Sequence, residues 1–510
     1  MCILTNKNAH VTVQVRLLKE IYHMNILSLD IGTTSMRGIL YSEEGNELGI
    51  KSCLTPLVFR GEYIEQDPDV FTNALVEICK DVQQYGSVDA ISLTAFRSAP
   101  TIVDENGKAL ANFIMWQDTR NKEICERIAP HNETLCQTTG AKVNAVFTAS
   151  KITWFKENEP ELYKKAYKAM IVPDYLIHHM TGVFSTDRTY GSRTSLMNIH
   201  TLEWDKGMCD LFNVDIDKLC PLVDQGTIVG HTHEAFEKET GIPAGVPVIS
   251  AGGDQQCSAL GLGELDTSSF VINCGTGSFI ISLIDQPYME NPSMICNVAS
   301  VRNKWTVESN VLSSAASLNW LIKELFPDLW NEGSPNFRKF NEIASTSPLG
   351  SNGVICVPLF QGCGTRDWNL DARASFSHIS LGTTRADLAR SMYEGIAAEI
   401  VKSVNALPES CHLADHVFIG GGLTKSDLFD QILCDMLGKK LLRYEDAQAT
   451  AIGAFASASE ELGLYKNYQE ALNAVRKDSV PFTFEPNMEN HKAYQSYIEK
   501  TEKVYEVLNH

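Results

Sequence analysis

Basic residues are scarce in this chain of 510 residues. It has 43 lysines and arginines against 63 aspartates and glutamates, which gives a formal net charge of −20 at pH 7. Proteins that bind duplex nucleic acid or anionic membranes need a basic face to pair with phosphate groups. The composition therefore argues against nucleic acid and membrane as partners, and we interpret the acidic excess as a feature that favours solubility.

Several other signals are missing. The 14 cysteines are scattered and include no C-x-x-C pair, which argues against structural zinc and fits a reduced, cytoplasmic protein. No run of 18 apolar residues occurs, so no membrane span is expected. Residues 1–23 lack the apolar core and small-residue cleavage site of a secretory signal. We expect residues 1–23 to be a dispensable extension, with Met24 as the functional start.

The common nucleotide-binding motifs are also absent. No G-x-x-x-x-G-K-[ST] sequence occurs, which excludes P-loop chemistry. Gly261-Leu-Gly263 and Gly275-Thr-Gly277 both lack the third glycine of a dinucleotide fingerprint, which disfavours a Rossmann dehydrogenase. A nucleotide site in this chain must therefore be built from other elements.

The most informative segment that is present runs from Asn25 to Tyr41. It reads as an apolar strand, a carboxylate at the strand end, a Gly-Thr-Thr-Ser turn and a second strand. Glycine lets backbone approach a ligand closely, and the hydroxyl and N–H groups of Gly32–Ser35 can cradle phosphate oxygens. Asp30, next to the turn, is placed to hold Mg²⁺ through water.

A second copy of this layout lies about half a chain later, from Phe270 to Ser282. Asn273 stands where Asp30 stood, and Gly275–Ser278 takes the place of the first turn. Self-similarity at this spacing indicates duplicated domains and not a solenoid. Because the second copy keeps phosphate donors but loses the anionic metal ligand, we predict one nucleotide site between two related domains.

The rest of the chain alternates strand and helix patterns. Strands are predicted at Ala90–Thr94, Met170–Val172 and Val246–Ser250, and helices at Asp69–Val82 and Ala386–Val404. This alternation indicates the α/β class. A domain boundary is predicted just after the segment that ends at residue 265.

Asp254 is the candidate general base. It follows a predicted strand and paired glycines, and precedes a predicted helix over Gln256–Leu262. The glycines would let a substrate approach the carboxylate, which could take a hydroxyl proton during phosphoryl transfer. The alternative is that Asp254 only caps the helix. Two phosphate-binding hairpins in the same chain favour the base.

Two more segments point to small ligands. A strand, three glycines at Gly420–Gly422 and a helix could hold a planar group such as adenine against the backbone. The alternative is an ordinary strand-to-helix turn, but three consecutive glycines exceed what such a turn needs. Arg97 and Trp116 follow or lie near strand ends. Arginine donates to hydroxyls and an indole face packs on C–H groups, so the pair could form a polyol pocket. Either residue alone is more often structural.

Together these segments resemble the FGGY family of carbohydrate kinases, from about Met24 to the C-terminal region. The motifs that match its phosphate and adenosine elements, in order, are Asp30–Ser35, Gly252–Gln255, Gly275–Gly277 and Gly420–Gly422. Lys151–Trp154 resembles part of one signature of the family. Ala374–Glu394 resembles the other signature, with His378 where glycine is usual. Trp116–Asp118 and Ser192–His200 look like the glycerol-kinase branch.

The resemblance implies an α/β fold with two actin-like, ribonuclease-H-type ATPase domains, residues 24–265 and 266–510, and a cleft between them. It implies transfer of the γ-phosphoryl group of ATP, with Mg²⁺, to a primary hydroxyl of a small sugar or polyol. Asp254 would be the base and Asp30 the metal residue. The implied nucleotide contacts are Gly32, Thr33, Thr34, Ser35, Arg37, Gly275, Thr276, Gly277, Gly421, Gly422 and Ser426. The implied acceptor contacts are Arg97, Ser98, Trp116, Asp254 and Gln255.

The acceptor pocket departs from the glycerol-kinase pattern at two positions. Ser98 follows Arg97 where that branch has glutamate, and Val146 stands near a position that carries tyrosine. A site that loses hydroxyl-binding partners loses discrimination for the ligand they held. We therefore predict an acceptor longer than three carbons, with glycerol kinase proper as the alternative. An actin-like ATPase and a sugar sensor without kinase activity stay open as other classes, and a homodimer stays open as the oligomeric form.

Overall fold

The computed structural model describes residues 23–509 except positions 332, 367, 446 and 447. Residues 1–22, nearly all of the segment predicted as a dispensable extension, lie outside the described residues. Among the helices of the described part of the chain, none has both the length and the apolar character needed to cross a bilayer.

The strands form one six-stranded sheet, one seven-stranded sheet and several small sheets. In chain order within the described residues they are β1 Asn25–Ile31, β2 Ser35–Ser42, β3 Glu47–Leu54, β4 Val58–Arg60, β5 Tyr63–Gln66, β6 Ala90–Ala95, β7 Pro100–Val103, β8 Phe113–Ile114, β9 Lys168–Ile171, β10 Thr186–Asp187, β11 Leu222–Val223, β12 Thr227–His231, β13 Pro247–Gly253, β14 Ser269–Cys274, β15 Ser278–Ile284, β16 Ile295–Val298, β17 Trp305–Val311, β18 Trp330–Asn331, β19 Ser334–Pro335, β20 Ile355–Val357, β21 Ser375–Ser377, β22 His416–Gly420, β23 Lys440–Arg443 and β24 Phe482–Phe484.

The α-helices of the same residues are α1 Pro68–Val82, α2 Lys122–Ile128, α3 Asn132–Thr139, α4 Thr148–Asn158, α5 Pro160–Lys165, α6 Val172–Thr181, α7 Arg188–Gly191, α8 Lys206–Phe212, α9 Glu234–Thr240, α10 Asp254–Leu262, α11 Ala315–Leu325, α12 Phe337–Ala344, α13 Arg385–Asn405, α14 Asp427–Leu437, α15 Ala449–Glu461, α16 Tyr468–Val475 and α17 Met488–Asn509. Short 3₁₀ helices occupy Ala129–His131, Ile216–Lys218, Pro327–Leu329, Ser351–Gly353, Glu409–Leu413 and Gly422–Lys425.

The two large sheets repeat one arrangement. The first has the strand order β12-β13-β6-β1-β2-β3 and the second β16-β17-β15-β14-β22-β23-β24. In each, an antiparallel hairpin pairs with a later parallel strand, β1–β2 with β6 and β14–β15 with β22. The fold is therefore α/β with two related actin-like halves, and both predicted hairpins are confirmed.

Helix α1 shows how local sequence positions the first hairpin. The Asp67 side chain accepts a hydrogen bond from the Asp69 amide at 2.9 Å, and Pro68 occupies the first turn, where its missing N–H costs nothing. Phe71, Leu75 and Ile78 recur at helical spacing and are fully buried. They belong to the same apolar core as the inward residues of β1, so α1 packs against one face of that strand.

Helices α10 and α15 cross between the two halves. Gly261 of α10 and Gly453 of α15 lie against backbone of the opposite helix, where a β-carbon would collide. The Ser92 hydroxyl on β6 donates to the Ala454 carbonyl at 2.7 Å, so α15 packs on the first sheet although it lies late in the chain. The predicted domain boundary between residues 265 and 266 stays a prediction. Residues 449–461 lie after this boundary in the chain but pack with the first half.

Two local boundaries need correction, and one unusual residue is explained. The strand predicted at Met170–Val172 is found at Lys168–Ile171, because Pro173 in the next turn favours the start of α6 at Val172. The helix predicted from Gln256 begins at Asp254, where a carboxylate suits the positive end of the helix dipole. His378, which replaces a usual glycine, has φ of 61°, in the region that glycine occupies at least cost.

Candidate active site

The first hairpin ends in a tight turn. The Gly32 amide donates to the Ser35 carbonyl at 2.9 Å, and a β-carbon on Gly32 would lie 2.9 Å from the same oxygen. The Thr34 carbonyl accepts from the Thr55 amide at 2.9 Å, which ties the turn to the end of β3. The turn is therefore compact and anchored, as a phosphate-binding turn would need to be. Its contact with phosphate stays a prediction.

Asp30 lies directly across the hairpin from Arg37. Burial raises the pKa of Asp30 to about 6, the Arg37 charge opposes this rise, and the Asp254 charge adds to it. A carboxylate is the hard oxygen ligand that Mg²⁺ prefers, and a cation beside Asp30 would favour its ionised form. The residues present therefore fit a water-mediated Mg²⁺ at Asp30, which stays a prediction, as does a phosphate contact of Arg37.

The second hairpin packs against the start of α11. The carbonyls of Gly275 and Thr276 accept from backbone amides of residues 314–316 at 2.8–3.2 Å, and the Ser278 and Ser314 hydroxyls lie 2.7 Å apart. A β-carbon on Gly277 would lie 2.7 Å from the Val311 carbonyl, so this turn also requires glycine. The positive end of α11 thus lies beside the turn, which suits an anionic ligand.

Asp254 is the first residue of α10 and directly follows β13. Its side chain is 27% exposed, and Oδ1 lies 3.6 Å from Arg97 Nε and accepts from the Gln255 amide at 2.7 Å. Burial raises the pKa of Asp254, and the neighbouring Arg97 charge opposes this rise. The N-cap position belongs to Gly253, so capping alone does not account for this carboxylate.

Helix α7 anchors the backbone just before Asp254 through hydrogen bonds. The Tyr190 hydroxyl donates to the Gly252 carbonyl at 2.8 Å, and the Gly253 amide donates to Thr189 Oγ1 at 2.9 Å. Gly252 has φ of 114°, which a residue with a side chain rarely adopts. The backbone before Asp254 is therefore fixed in a conformation that favours glycine, as expected where a carboxylate must be held in one orientation.

Arg97 joins the two halves of the molecule. Its Nη1 donates to Glu308 Oε1 at 2.7 Å and to Gln256 Oε1 at 3.1 Å. Glu308 also lies 3.4 Å from Arg193 Nη1 and accepts from Asn297 Nδ2 at 2.9 Å. Burial disfavours charge on Glu308, but the charges of Arg97 and Arg193 outweigh it and lower its pKa. This ion pair links the end of β6 to β17 of the second sheet.

The other predicted acceptor residues lie around this pair. Trp116 Nε1 donates to Thr33 Oγ1 at 3.1 Å, which connects the acceptor candidates to the first hairpin. Gln255 Oε1 is buried and has no hydrogen-bond partner among the described residues, so it can accept from a ligand hydroxyl. Ser98 is buried, and its hydroxyl lies 3.5 Å from the Arg193 carbonyl. Contacts of all three with an acceptor stay predictions.

A cavity of about 670 Å³ lies at the triple glycine. It is lined by residues of both halves, among them Ser258, Leu262, Asn273, Gly420–Gly422 and Ala449. A β-carbon on Gly421 would lie 2.5 Å from the Cys274 carbonyl, whereas one on Gly422 would meet no atom within 4 Å. Gly421 is therefore needed for packing, and Gly422 leaves open space.

Ser426 does not contribute its hydroxyl to this cavity. The hydroxyl caps α14 by accepting from the Phe429 amide at 3.2 Å, and it donates to Asn341 Oδ1 at 3.0 Å. Both bonds are internal, so this arrangement does not favour the predicted contact between Ser426 and adenosine. That contact stays a prediction.

We expect Gly422→Ala to raise the KM for ATP about fivefold, since an added methyl group would occupy the space expected for adenine. Gly422 does not have a left-handed φ, so the substitution introduces no backbone strain. Gly382→Ala is the matched control, because its β-carbon would lie 3.7 Å from its nearest neighbour, away from the cavity. Steady-state kinetics with varied ATP tests this. An unchanged KM in a folded Gly422→Ala enzyme would place adenosine elsewhere.

Several residues of the site were not assigned a role from sequence. Glu308, Arg193, Asn297 and Tyr190 all lie within this network, and each is buried. The one available signal was Glu308, the single charged residue of β17, where a charge must find a partner to be buried.

Comparisons with known proteins match carbohydrate kinases over nearly the whole chain. Residues 25–261 match the profile described as FGGY family of carbohydrate kinases, N-terminal domain, and residues 270–459 match the C-terminal domain. A xylulose kinase of Staphylococcus epidermidis is 29% identical over 94% of this chain and 96% of that protein. A glycerol kinase of Thermococcus onnurineus is 31% identical over 88% of this chain and 91% of that protein.

Solved structures give the same fold. A xylulose kinase from Lactobacillus acidophilus superposes with a TM-score of 0.87 at 24% identity, covering 95% of this chain and 98% of that one. A gluconate kinase from the same species gives a TM-score of 0.88 at 23% identity, covering 96% and 98%. At these identities the likeness concerns the fold.

Proposed function

The chain belongs to the FGGY family of carbohydrate kinases and is an ATP-dependent sugar or polyol kinase, and we propose that its acceptor is a four- to six-carbon polyol or ketose. The observation that carries this proposal is the pair Ser98 and Val146, which stand where the glycerol-kinase pattern has glutamate and tyrosine. Smaller side chains leave room for a longer substrate, and two hydroxyl-binding partners of glycerol are lost.

The proposed chemistry uses groups that the fold brings together. Asp254 accepts the proton of the acceptor hydroxyl as that oxygen attacks the γ-phosphorus of ATP, and ADP leaves as the bond between the γ-phosphorus and the bridging oxygen breaks. Arg97, 3.6 Å from Asp254, and Trp116, bonded to the first hairpin, orient the acceptor between base and phosphate. Gly32–Ser35 and Gly275–Gly277 donate to phosphate oxygens. Mg²⁺, when bound at Asp30, would neutralise charge on the phosphates.

The second candidate is glycerol kinase proper. Arg97, Trp116 and Gln255 are the acceptor residues that the resemblance implies, and a relative 31% identical to this chain is named glycerol kinase. A coupled ADP-release assay over glycerol, erythritol, pentuloses, hexuloses and aldonates at equal concentrations decides between the two. Activity only with a longer acceptor supports our proposal, and highest kcat/KM with glycerol supports the second candidate.

We expect one ADP per chain. Asn273 of the second hairpin lines the same cavity as Gly420–Gly422, which supports one adenosine site next to that hairpin. Asn273 also lacks the negative charge that a second Mg²⁺ ion would need. Isothermal titration with ADP and Mg²⁺ should give a stoichiometry near one, with Asp30→Asn weakening the Mg²⁺ dependence. Two equivalent ADP sites would contradict the proposed role of Asn273.

A further inference from the structure

Lys151 is a buried lysine that the proposed chemistry does not use. It lies on α4, and none of its surface is exposed. Its Nζ donates to the carbonyls of Val146 at 3.0 Å, Trp116 at 3.3 Å and Ser98 at 3.4 Å. An ammonium group has three donors and no acceptor, so three carbonyls match its protonated form.

These three carbonyls come from three separate segments of the proposed acceptor pocket. Ser98 follows Arg97 and has φ of 69°, a strained conformation for a residue with a side chain. Trp116 bonds to the first hairpin, and Val146 is the second position that departs from the glycerol-kinase pattern. One side chain thus ties together segments that are far apart in the chain.

We propose that Lys151 is a positioning residue that fixes the Ser98, Trp116 and Val146 segments in the arrangement that binds the acceptor. The proposal rests on the proposed function, since it concerns the same acceptor pocket. Lys151 acts through backbone and does not touch the acceptor, so its loss should loosen acceptor binding more than ATP binding.

The surroundings of Lys151 make this role sensitive to pH. Burial lowers the pKa of Lys151 to about 7, while Asp118 and Cys125 oppose this lowering and Arg120 adds to it. Asp118 is itself paired with Arg120, whose Nη2 lies 2.7 Å away. A neutral amine has only two donors, and its lone pair would face a carbonyl. The three-carbonyl arrangement is therefore weakened as pH rises through about 7.

Lys151→Met tests the role directly. We expect the KM for the best acceptor to rise about fivefold, as for a loosened pocket, while the KM for ATP and binding of ADP with Mg²⁺ stay within twofold. Lys156→Met is the matched control on the same helix, because Lys156 bonds outward to Asp215 at 2.8 Å and should leave both KM values unchanged. A folded Lys151→Met enzyme with the wild-type acceptor KM would overturn the proposal.

The wild-type pH profile provides a test that does not depend on the folding of a variant. The acceptor KM should be lowest below about pH 7 and should rise above it. Protonation of Asp254 and Asp30 should instead lower kcat at acidic pH. A flat acceptor KM between pH 6 and pH 9 would overturn the proposal. If glycerol is the best acceptor in the screen, the proposed four- to six-carbon acceptor fails, whereas the role of Lys151 is then tested on the KM for glycerol, so the two failures are distinguishable.

Discussion

Asp254→Asn is expected to bind ADP and Mg²⁺ like the wild type and to lose turnover by roughly 10²-fold or more, the usual scale for a positioned base. The asparagine amide keeps the size of the side chain but cannot accept a proton from an attacking hydroxyl. Tyr190 and Thr189 hold the preceding backbone, so the loop should keep its shape in the variant. The loss should therefore appear in kcat and not in nucleotide affinity.

The pH dependence of the wild type should agree with this role. Burial raises the pKa of Asp254, and that of Asp30 to about 6, so both groups become protonated at higher pH than ordinary carboxylates. A protonated base cannot accept another proton, so kcat should fall on the acidic side as Asp254 becomes protonated. This acidic limb lies on the opposite side of neutrality from the limb expected for Lys151.

The measurement is steady-state kcat with the best acceptor, together with calorimetric binding of ADP. Asp210→Asn is a suitable control, because Asp210 is an exposed carboxylate paired with Lys206 on α8, and it should leave turnover unchanged. Turnover of Asp254→Asn within a few-fold of wild type would show that another group takes the proton, or that none needs to.

The repeated hairpin was the part of the fold that sequence revealed best. Both copies carry apolar strands on either side of a glycine turn, and this pattern is local, so β1–β2 and β14–β15 could be predicted from their own residues. The same holds for α1, whose apolar spacing and capping aspartate lie within one short segment. The α/β class followed from the alternation of strand and helix patterns, and the two actin-like halves followed from the resemblance that these motifs carry.

Contacts between distant segments could not be predicted in this way. The Arg97–Glu308 pair joins residues 211 positions apart, and nothing near either residue indicates its partner. The close packing of α10 against α15 depends on the small residues Gly261 and Gly453, which look like ordinary helix glycines in the sequence. Lys151 likewise appears as one lysine in a helix until the three carbonyls around it are seen.

The acceptor pocket is another case in which distant segments meet. Ser98 and Val146 are far apart in the sequence, yet the carbonyls of both accept hydrogen bonds from Lys151. In place of glutamate, Ser98 offers no charge, and its hydroxyl lies against the Arg193 carbonyl. In place of tyrosine, Val146 offers no hydroxyl and less bulk. Arg97 and Trp116 are retained, so the pocket should still bind a polyol but one longer than glycerol.

We therefore expect kcat/KM for glycerol to be lower than for the best four- to six-carbon acceptor, by on the order of 10-fold or more. Each hydrogen bond lost to a charged partner is worth about 1.5–3 kcal/mol, and one such loss is enough for this ratio. The test is the unbiased acceptor screen, followed by kcat/KM for glycerol and for the best longer substrate at saturating ATP.

Restoring the two side chains should reverse the preference. The variant Ser98→Glu/Val146→Tyr should gain kcat/KM for glycerol relative to the longer acceptor, since it regains a charged partner and a hydroxyl while losing volume. Val183→Tyr, a substitution at a partly exposed valine after α6, controls for the effect of adding a tyrosine. If glycerol is the best acceptor of the wild type, the pocket argument is wrong and the chain is a glycerol kinase, because Arg97, Trp116 and Gln255 would then suffice to bind three carbons.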